Sequence, residues 1–277
     1  MSTFDRDNLP STALSNFSTM NDLKSKSIGL VLSGGGVRGM AHIGLIQALQ
    51  EHGISASTVS GSSVGALVGA LYANGNSVED MLSLFKETPL FRYNFLTIVK
   101  PGFIDTDRYF EVFRGYFPDN AFDALERKLY VVATNLQKGE LRYFSEGELI
   151  RPLLASAALP PVFSPVELDG ELFADGGIMN NFPLEPVMGN VDYIIGSNVS
   201  KVSELYQNAL KNSWQITGRV TSLMIYAINR QKLESCDLLL EFQALEKIGV
   251  LDRKGIEKAY LIGYERASRV LDSVLIE

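Results

Sequence analysis

Three times in this chain a short strand-like run stops at a glycine cluster. Ile28–Leu32 ends in Ser33-Gly34-Gly35-Gly36-Val37-Arg38-Gly39, Thr58-Val59-Ser60 ends in Gly61-Ser62-Ser63-Val64-Gly65, and Leu172–Ala174 ends in Asp175-Gly176-Gly177. Helix-like stretches, Met40–His52 and Ala66–Ala73, follow the first two. Strands that alternate with helices build a mostly parallel sheet covered on both faces. Such sheets gather their functional loops at the carboxyl ends of the strands. The pattern predicts an α/β fold, with a mostly parallel central sheet and helices on both faces. It also predicts a place where three glycine loops converge.

The remaining elements continue the alternation. Ser77–Lys86 reads as a helix with Ser77 as N-cap and Asp80 in its first turn. Asp105–Arg114 reads as a short helix, and Leu129–Asn135 with Glu140–Phe144 as a hairpin across Lys138-Gly139. Leu149–Ala158 is helical up to Pro160-Pro161, and Val166–Leu168 and Leu172–Ala174 flank the turn dipeptide Asp169-Gly170. Tyr193–Val199 and Leu238–Phe242 are further strands, and Trp214–Leu233 and Gly255–Val274 further helices. The 277 residues suit one large domain. Residues 1–27 read as a flexible arm, 28–200 as a catalytic core, and 201–277 as helices and a strand completing the same domain. The aromatic stretch 89–103 reads either as core packing or as a lid.

Composition narrows the class. Hydrophobic residues at 46% and charged residues at 21% exclude a disordered or fibrous chain. With 25 Lys and Arg against 32 Asp and Glu, and no dense basic run, a nucleic-acid partner is not expected. The single cysteine, Cys236, rules out an intramolecular disulfide and a Cys-based zinc cluster. No apolar stretch approaches the roughly 18 residues of a spanning helix, and the N-terminus lacks the apolar core of a secretory signal. The expected location is cytoplasmic, with at most peripheral contact with a membrane.

Each glycine element has a chemical and a plain reading. Gly34, Gly36 and Gly39 match the dinucleotide fingerprint, but that reading needs an acid at the end of the second strand, and Ser60-Gly61-Ser62 offers none. The same loop can instead turn consecutive backbone N–H groups into one cavity at a helix N-terminus, as an oxyanion hole does. Gly61-Ser62-Ser63-Val64-Gly65 fits a nucleophile elbow, with Ser63 in the middle and the flanking glycines relieving crowding. Asp175-Gly176-Gly177 alone reads most simply as a turn. Only His42 and His52 exist, and none follows the elbow, so the order Ser…Asp…His is excluded. His52 reads as a helix-end cation and His42 as a packed helix residue. A serine here needs another base, and a partly buried aspartate on a glycine turn has the chemistry for it.

Gly34–Gly39, Gly61–Gly65 and Asp175–Gly177, in this order, resemble the patatin-like phospholipases. The stretch Ala155-Ser156-Ala157-Ala158-Leu159-Pro160-Pro161-Val162-Phe163, then Asp169-Gly170, then Asn180-Asn181-Phe182-Pro183, resembles their bacterial members. The resemblance runs from about Ile28 to Val199 and implies a three-layer α/β/α fold. It implies Ser63 as nucleophile and Asp175 as general base of a Ser–Asp dyad. It also implies Gly35 and Gly36 as oxyanion donors, and no metal or cofactor. Arg38 matches the family's arginine and either steadies the loop or counters a lipid phosphate. The implied activity is cleavage of acyl esters of phospholipids, lysophospholipids or other lipids. Acyl transfer or thioester cleavage on the same dyad, and non-catalytic lipid binding, are the alternatives.

Overall fold

The computed structural model describes residues 23, 25–88, 100–206 and 209–275. Most of the expected N-terminal arm, and the part of the aromatic stretch from 89 to 99, lie outside them.

Eight strands form one sheet: β1 (Ile28–Leu32), β2 (Thr58–Ser62), β3 (Lys128–Asn135), β4 (Glu140–Phe144), β5 (Val166–Leu168), β6 (Glu171–Asp175), β7 (Tyr193–Asn198) and β8 (Leu238–Glu241). They connect in the order β5-β6-β3-β2-β1-β7-β8, with β4 also on β3. The contacts among β3, β2, β1, β7 and β8 are parallel, while β4, β5 and β6 join antiparallel. Among the described residues the longer helices are α1 (Met40–Glu51), α2 (Val64–Ala73), α3 (Val78–Glu87), α4 (Phe110–Tyr116), α5 (Ile150–Ser156), α6 (Ser213–Leu233) and α7 (Ile256–Leu275). The expected helix over 105–114 is split, with a 3-10 turn at Thr106–Tyr109 leading into α4. Ser77 caps α3 in a reciprocal capping box with Asp80, as its spacing predicts.

Strand β1 explains the layering. Its residues are buried throughout. Ile28, Leu30 and Leu32 join the large core with α1, α2 and α7, while Val31 joins a smaller one with Phe182, Leu184, Val187 and Leu233. Successive side chains of a strand point to opposite faces, so both faces of the sheet are covered. The second cover is thin, made by the 182–187 segment and the C-terminal end of α6.

The register of β3 positions the site. Val132 pairs with Ser62 and with Tyr143, and Ala133 with Asp175 and with Arg142. β4 occupies one edge from Val131 to Asn135, so β2 and β6 share the other. One is parallel to β3 and the other antiparallel, so their carboxyl ends meet head to head at Val132–Ala133. The ends of β2 and β6 are where Ser63 and Asp175 sit.

Candidate active site

Ser63 caps α2 with φ 54° and ψ −129°, a backbone conformation that non-glycine residues rarely adopt. The turn is this sharp because its glycines leave no room for side chains. A Cβ on Gly61 would lie 2.5 Å from the Gly65 carbonyl, and one on Gly65 would press into the Leu32 backbone of β1. Helix α2 therefore starts flush against both strands. The Ser63 N–H donates to Ser156 Oγ at 2.9 Å, which ties the elbow to the end of α5.

Ser63 Oγ donates to Asp175 Oδ2 at 2.6 Å. Oδ1 of the same carboxylate accepts from the Gly177 N–H at 2.7 Å. Asp175 is only 3% exposed, and burial pushes its pKa up to about 6 against the lowering effect of both hydrogen bonds. Gly176 has no space for a side chain, because a Cβ there would meet the Val132 carbonyl and Ser62 Oγ. The neighbouring Ser62 is fully buried with its Oγ against Gly176, and among the described residues its hydroxyl meets no hydrogen-bond partner.

The first glycine loop faces the same pair. The Gly34 carbonyl accepts from Ser200 Oγ at 2.5 Å, Ser33 Oγ at 3.1 Å and Asn181 Nδ2 at 3.3 Å. Those bonds hold the Gly34–Gly35 peptide in one orientation. Among the described residues, the N–H groups of Gly35 and Gly36 meet no acceptor, and both glycines line the cavity that Ser63 lines. Gly36 has φ +59°, and a Cβ there would strike the Val250 carbonyl. The loop is pinned from below, since the Val37 N–H donates to that carbonyl at 2.8 Å and Arg38 Nε to the Ile248 carbonyl at 2.7 Å. The Arg38 guanidinium thus steadies the loop. Asn181 is wedged between Gly34 and Gly177 and joins the first and third glycine elements.

Both histidines stand apart from this chemistry. His42 is fully buried behind the loop, with Nδ1 2.7 Å from Ser197 Oγ and Nε2 2.9 Å from the Ser33 carbonyl. Burial pushes its pKa down to about 4. It is therefore neutral, donating from Nε2 to the carbonyl and accepting from Ser197 at Nδ1. His52 lies at the far end of α1, on Asp272 of α7 at 3.0 Å, with its pKa raised. Among the described residues, no group of three His, Cys, Asp or Glu could hold a metal ion.

Ser63, Asp175, Gly35, Gly36 and Arg38 all line one cavity of about 740 Å³. Its deep wall is apolar, with Leu67, Phe85, Tyr109, Phe113 and Phe163. The outer wall adds Lys201, Arg219, Ser222 and Glu246. The structure brings the motif residues Ser63, Asp175, Gly35, Gly36 and Arg38 together at this one cavity. The motifs do not disclose Ser200, Ile248 and Val250, which act through a hydroxyl or a carbonyl from distant parts of the chain, and although Ser156 falls within a stretch that carries the resemblance, nothing in it signals its bond to the Ser63 N–H. Asn181 falls within a stretch that carries the resemblance, but nothing in it signals a bridge between two loops.

Fold and site together define an α/β protein with a sharp glycine-flanked serine turn between a central strand and a helix. The chain belongs to the patatin-like phospholipase family, whose sequence pattern matches residues 30–188. An uncharacterized NTE family protein of Mycobacterium tuberculosis is 35% identical over 179 residues, which is 64% of this chain and 50% of that protein. Lysophospholipase nte1 of Aspergillus fumigatus is 30% identical over 210 residues, 71% of this chain and 14% of that protein. The chain thus spans half the length of the mycobacterial relative and a small part of the fungal one. Among solved structures, VipD from Legionella pneumophila has the same fold, with a TM-score of 0.60 over 90% of this chain and 67% of that one, at 18% identity. Among the described residues, no helix is long and apolar enough to cross a membrane.

Proposed function

We propose that this chain is a serine acyl hydrolase that cleaves lipid acyl esters with Ser63 as nucleophile and Asp175 as its base. The observation that carries this is the 2.6 Å bond from Ser63 Oγ to a buried carboxylate whose pKa is pushed up to about 6. A general base is most effective when its pKa lies near the working pH. Asp175 takes the Ser63 proton as Oγ adds to the acyl carbonyl. The developing oxyanion is received by the Gly35 and Gly36 N–H groups, next to the start of α1, whose dipole favours negative charge. Asp175 then gives the proton to the departing alcohol. In the second half it takes a proton from water, which attacks the acyl-Ser63 ester, and returns it to Ser63 as the fatty acid leaves.

The shape of the cavity supports an amphiphilic substrate. The apolar inner wall suits an acyl chain, and the polar outer wall suits a head group. Both the family and the likeness to the fungal lysophospholipase support phospholipid or lysophospholipid. The test is a panel of short acyl esters, lysophospholipids and diacyl phospholipids, each with Ser63→Ala as control. Fluorophosphonate labelling should modify Ser63 and spare Ser62. A label elsewhere, or turnover that survives in Ser63→Ala, overturns the assignment.

A further inference from the structure

Helix α6 is the least embedded element beside the cavity. From 213 to 224 its described side chains are exposed, apart from the half-buried Arg219. One face walls the cavity with Gly218, Thr221, Ser222 and Ile225. The other carries Ile216, Val220, Leu223 and Ala227, at the i, i+4, i+7, i+11 spacing of one helical stripe. Ile216 is 49% exposed, Val220 48% and Leu223 43%. Such a stripe is a normal buried face, yet among the described residues nothing covers it. It runs into an apolar rim at the cavity mouth, where Leu205, Met224 and Leu251 both line the opening and face outward.

Charge indicates what covers it. The chain carries a net charge of −7, yet residues 205–233, between Glu204 and Glu234, hold four cations and no acid. Lys232 is paired with Glu185 at 2.5 Å and Arg219 donates to the Ser203 carbonyl, which leaves Lys211 and Arg230 to face outward. Lys211 and Arg230 are exposed near the two ends of the stripe. An apolar face flanked by cations matches an anionic lipid surface, whose head groups attract the cations while the acyl region takes the apolar side chains. A protein partner would have no such reason to sit at the mouth of a cavity suited to an acyl chain. We infer that the outer face of α6, with the rim formed by Leu205, Met224 and Leu251, docks this protein on an anionic membrane surface, so that lipid enters the cavity from the bilayer side. This rests on the lipid-hydrolase reading of the same cavity.

The experiment separates docking from turnover. Flotation with vesicles of phosphatidylcholine containing about 30% phosphatidylglycerol is done on Ser63→Ala, which cannot consume the lipid. Binding is expected, weaker at 0.5 M salt and weaker on pure phosphatidylcholine. Ile216→Ser, Val220→Ser and Leu223→Ser together should cut vesicle binding at least about tenfold, because the removed apolar area supplies the insertion. In an otherwise intact enzyme the same triple variant should keep wild-type hydrolysis of a short soluble ester, since none of the three side chains lines the cavity, and should lose hydrolysis of vesicle lipid. Lys211→Glu with Arg230→Glu should abolish the preference for anionic vesicles. Unchanged flotation of the triple variant overturns the proposal. So does a wild-type dimer that the triple variant converts to monomer without loss of flotation, since the stripe would then pair with a second copy. If the soluble ester is not hydrolysed by wild type, the hydrolase reading fails, whether or not flotation occurs.

Discussion

Asp175 and His42 are two buried titratable groups with opposite tendencies. Asp175 rises from 3.8 to about 6 and His42 falls from 6.5 to about 4, both driven first by burial. As pH rises from about 4 to 6, the unfolded chain releases the Asp175 proton before the fold does, so this group lowers stability with rising pH. Over nearly the same window the unfolded chain still holds the His42 proton that the fold has lost, so His42 raises stability with rising pH. Each effect is on the order of a few kcal/mol, and the two oppose each other. Asp175→Asn should expose the histidine alone. Urea unfolding of that variant at pH 4.5, 5.5 and 6.5 should show stability climbing with pH more steeply than in wild type. At pH 7 the variant should be more stable than wild type. A lower stability for Asp175→Asn at pH 7 would mean that its carboxylate is a structural turn anchor.

The elbow stores strain that the surrounding elements impose. Ser63 at φ 54° and ψ −129° costs on the order of 1–3 kcal/mol, which glycine would not incur. Ser63→Gly should therefore melt above wild type, while Ser63→Ala should not, and differential scanning calorimetry reads the difference. Gly65→Ala should cost several kcal/mol, because its Cβ would drive α2 away from the end of β1. This part was legible in the sequence: Gly61, Ser63 and Gly65 announce a turn that only glycines can flank. The strand proved two residues longer than Thr58–Ser60 suggested and the helix began two residues before Ala66, because Gly61 and Gly65 pack on each other rather than forming a loop. The convergence of the loops bearing Ser63 and Asp175 was legible in the strand pattern, while the pairing of these two residues in particular came from the resemblance. Its physical cause, β2 and β6 sharing one edge of β3, is a matter of register between strands far apart in the chain.

The chain beyond residue 200 carries no motif, yet it supports the glycine loop. Val250 and Ile248 hold Val37 and Arg38 through backbone carbonyls, which any sequence possesses, so no residue type there announces the role. Helix α7 lies close on α1 because glycines face backbone at both sides of the crossing. A Cβ on Gly44 would strike the Tyr260 carbonyl, and one on Gly263 the Ala41 carbonyl. Gly263→Val should part the two helices and lower stability by at least about 2 kcal/mol, with slower fluorophosphonate labelling of Ser63 because α1 begins directly after the loop. The most direct test of the whole account is the pH dependence of kcat/KM on a soluble acyl ester, for wild type and Asp175→Asn. In wild type the rate should rise with pH through about 6, where the buried carboxylate ionises, and then level off. In a folded Asp175→Asn variant it should fall by about 10²–10⁴-fold and lose that inflection. A folded Asp175→Asn enzyme with near-wild-type kcat/KM and the same inflection would contradict the Ser63–Asp175 pair as the source of catalysis.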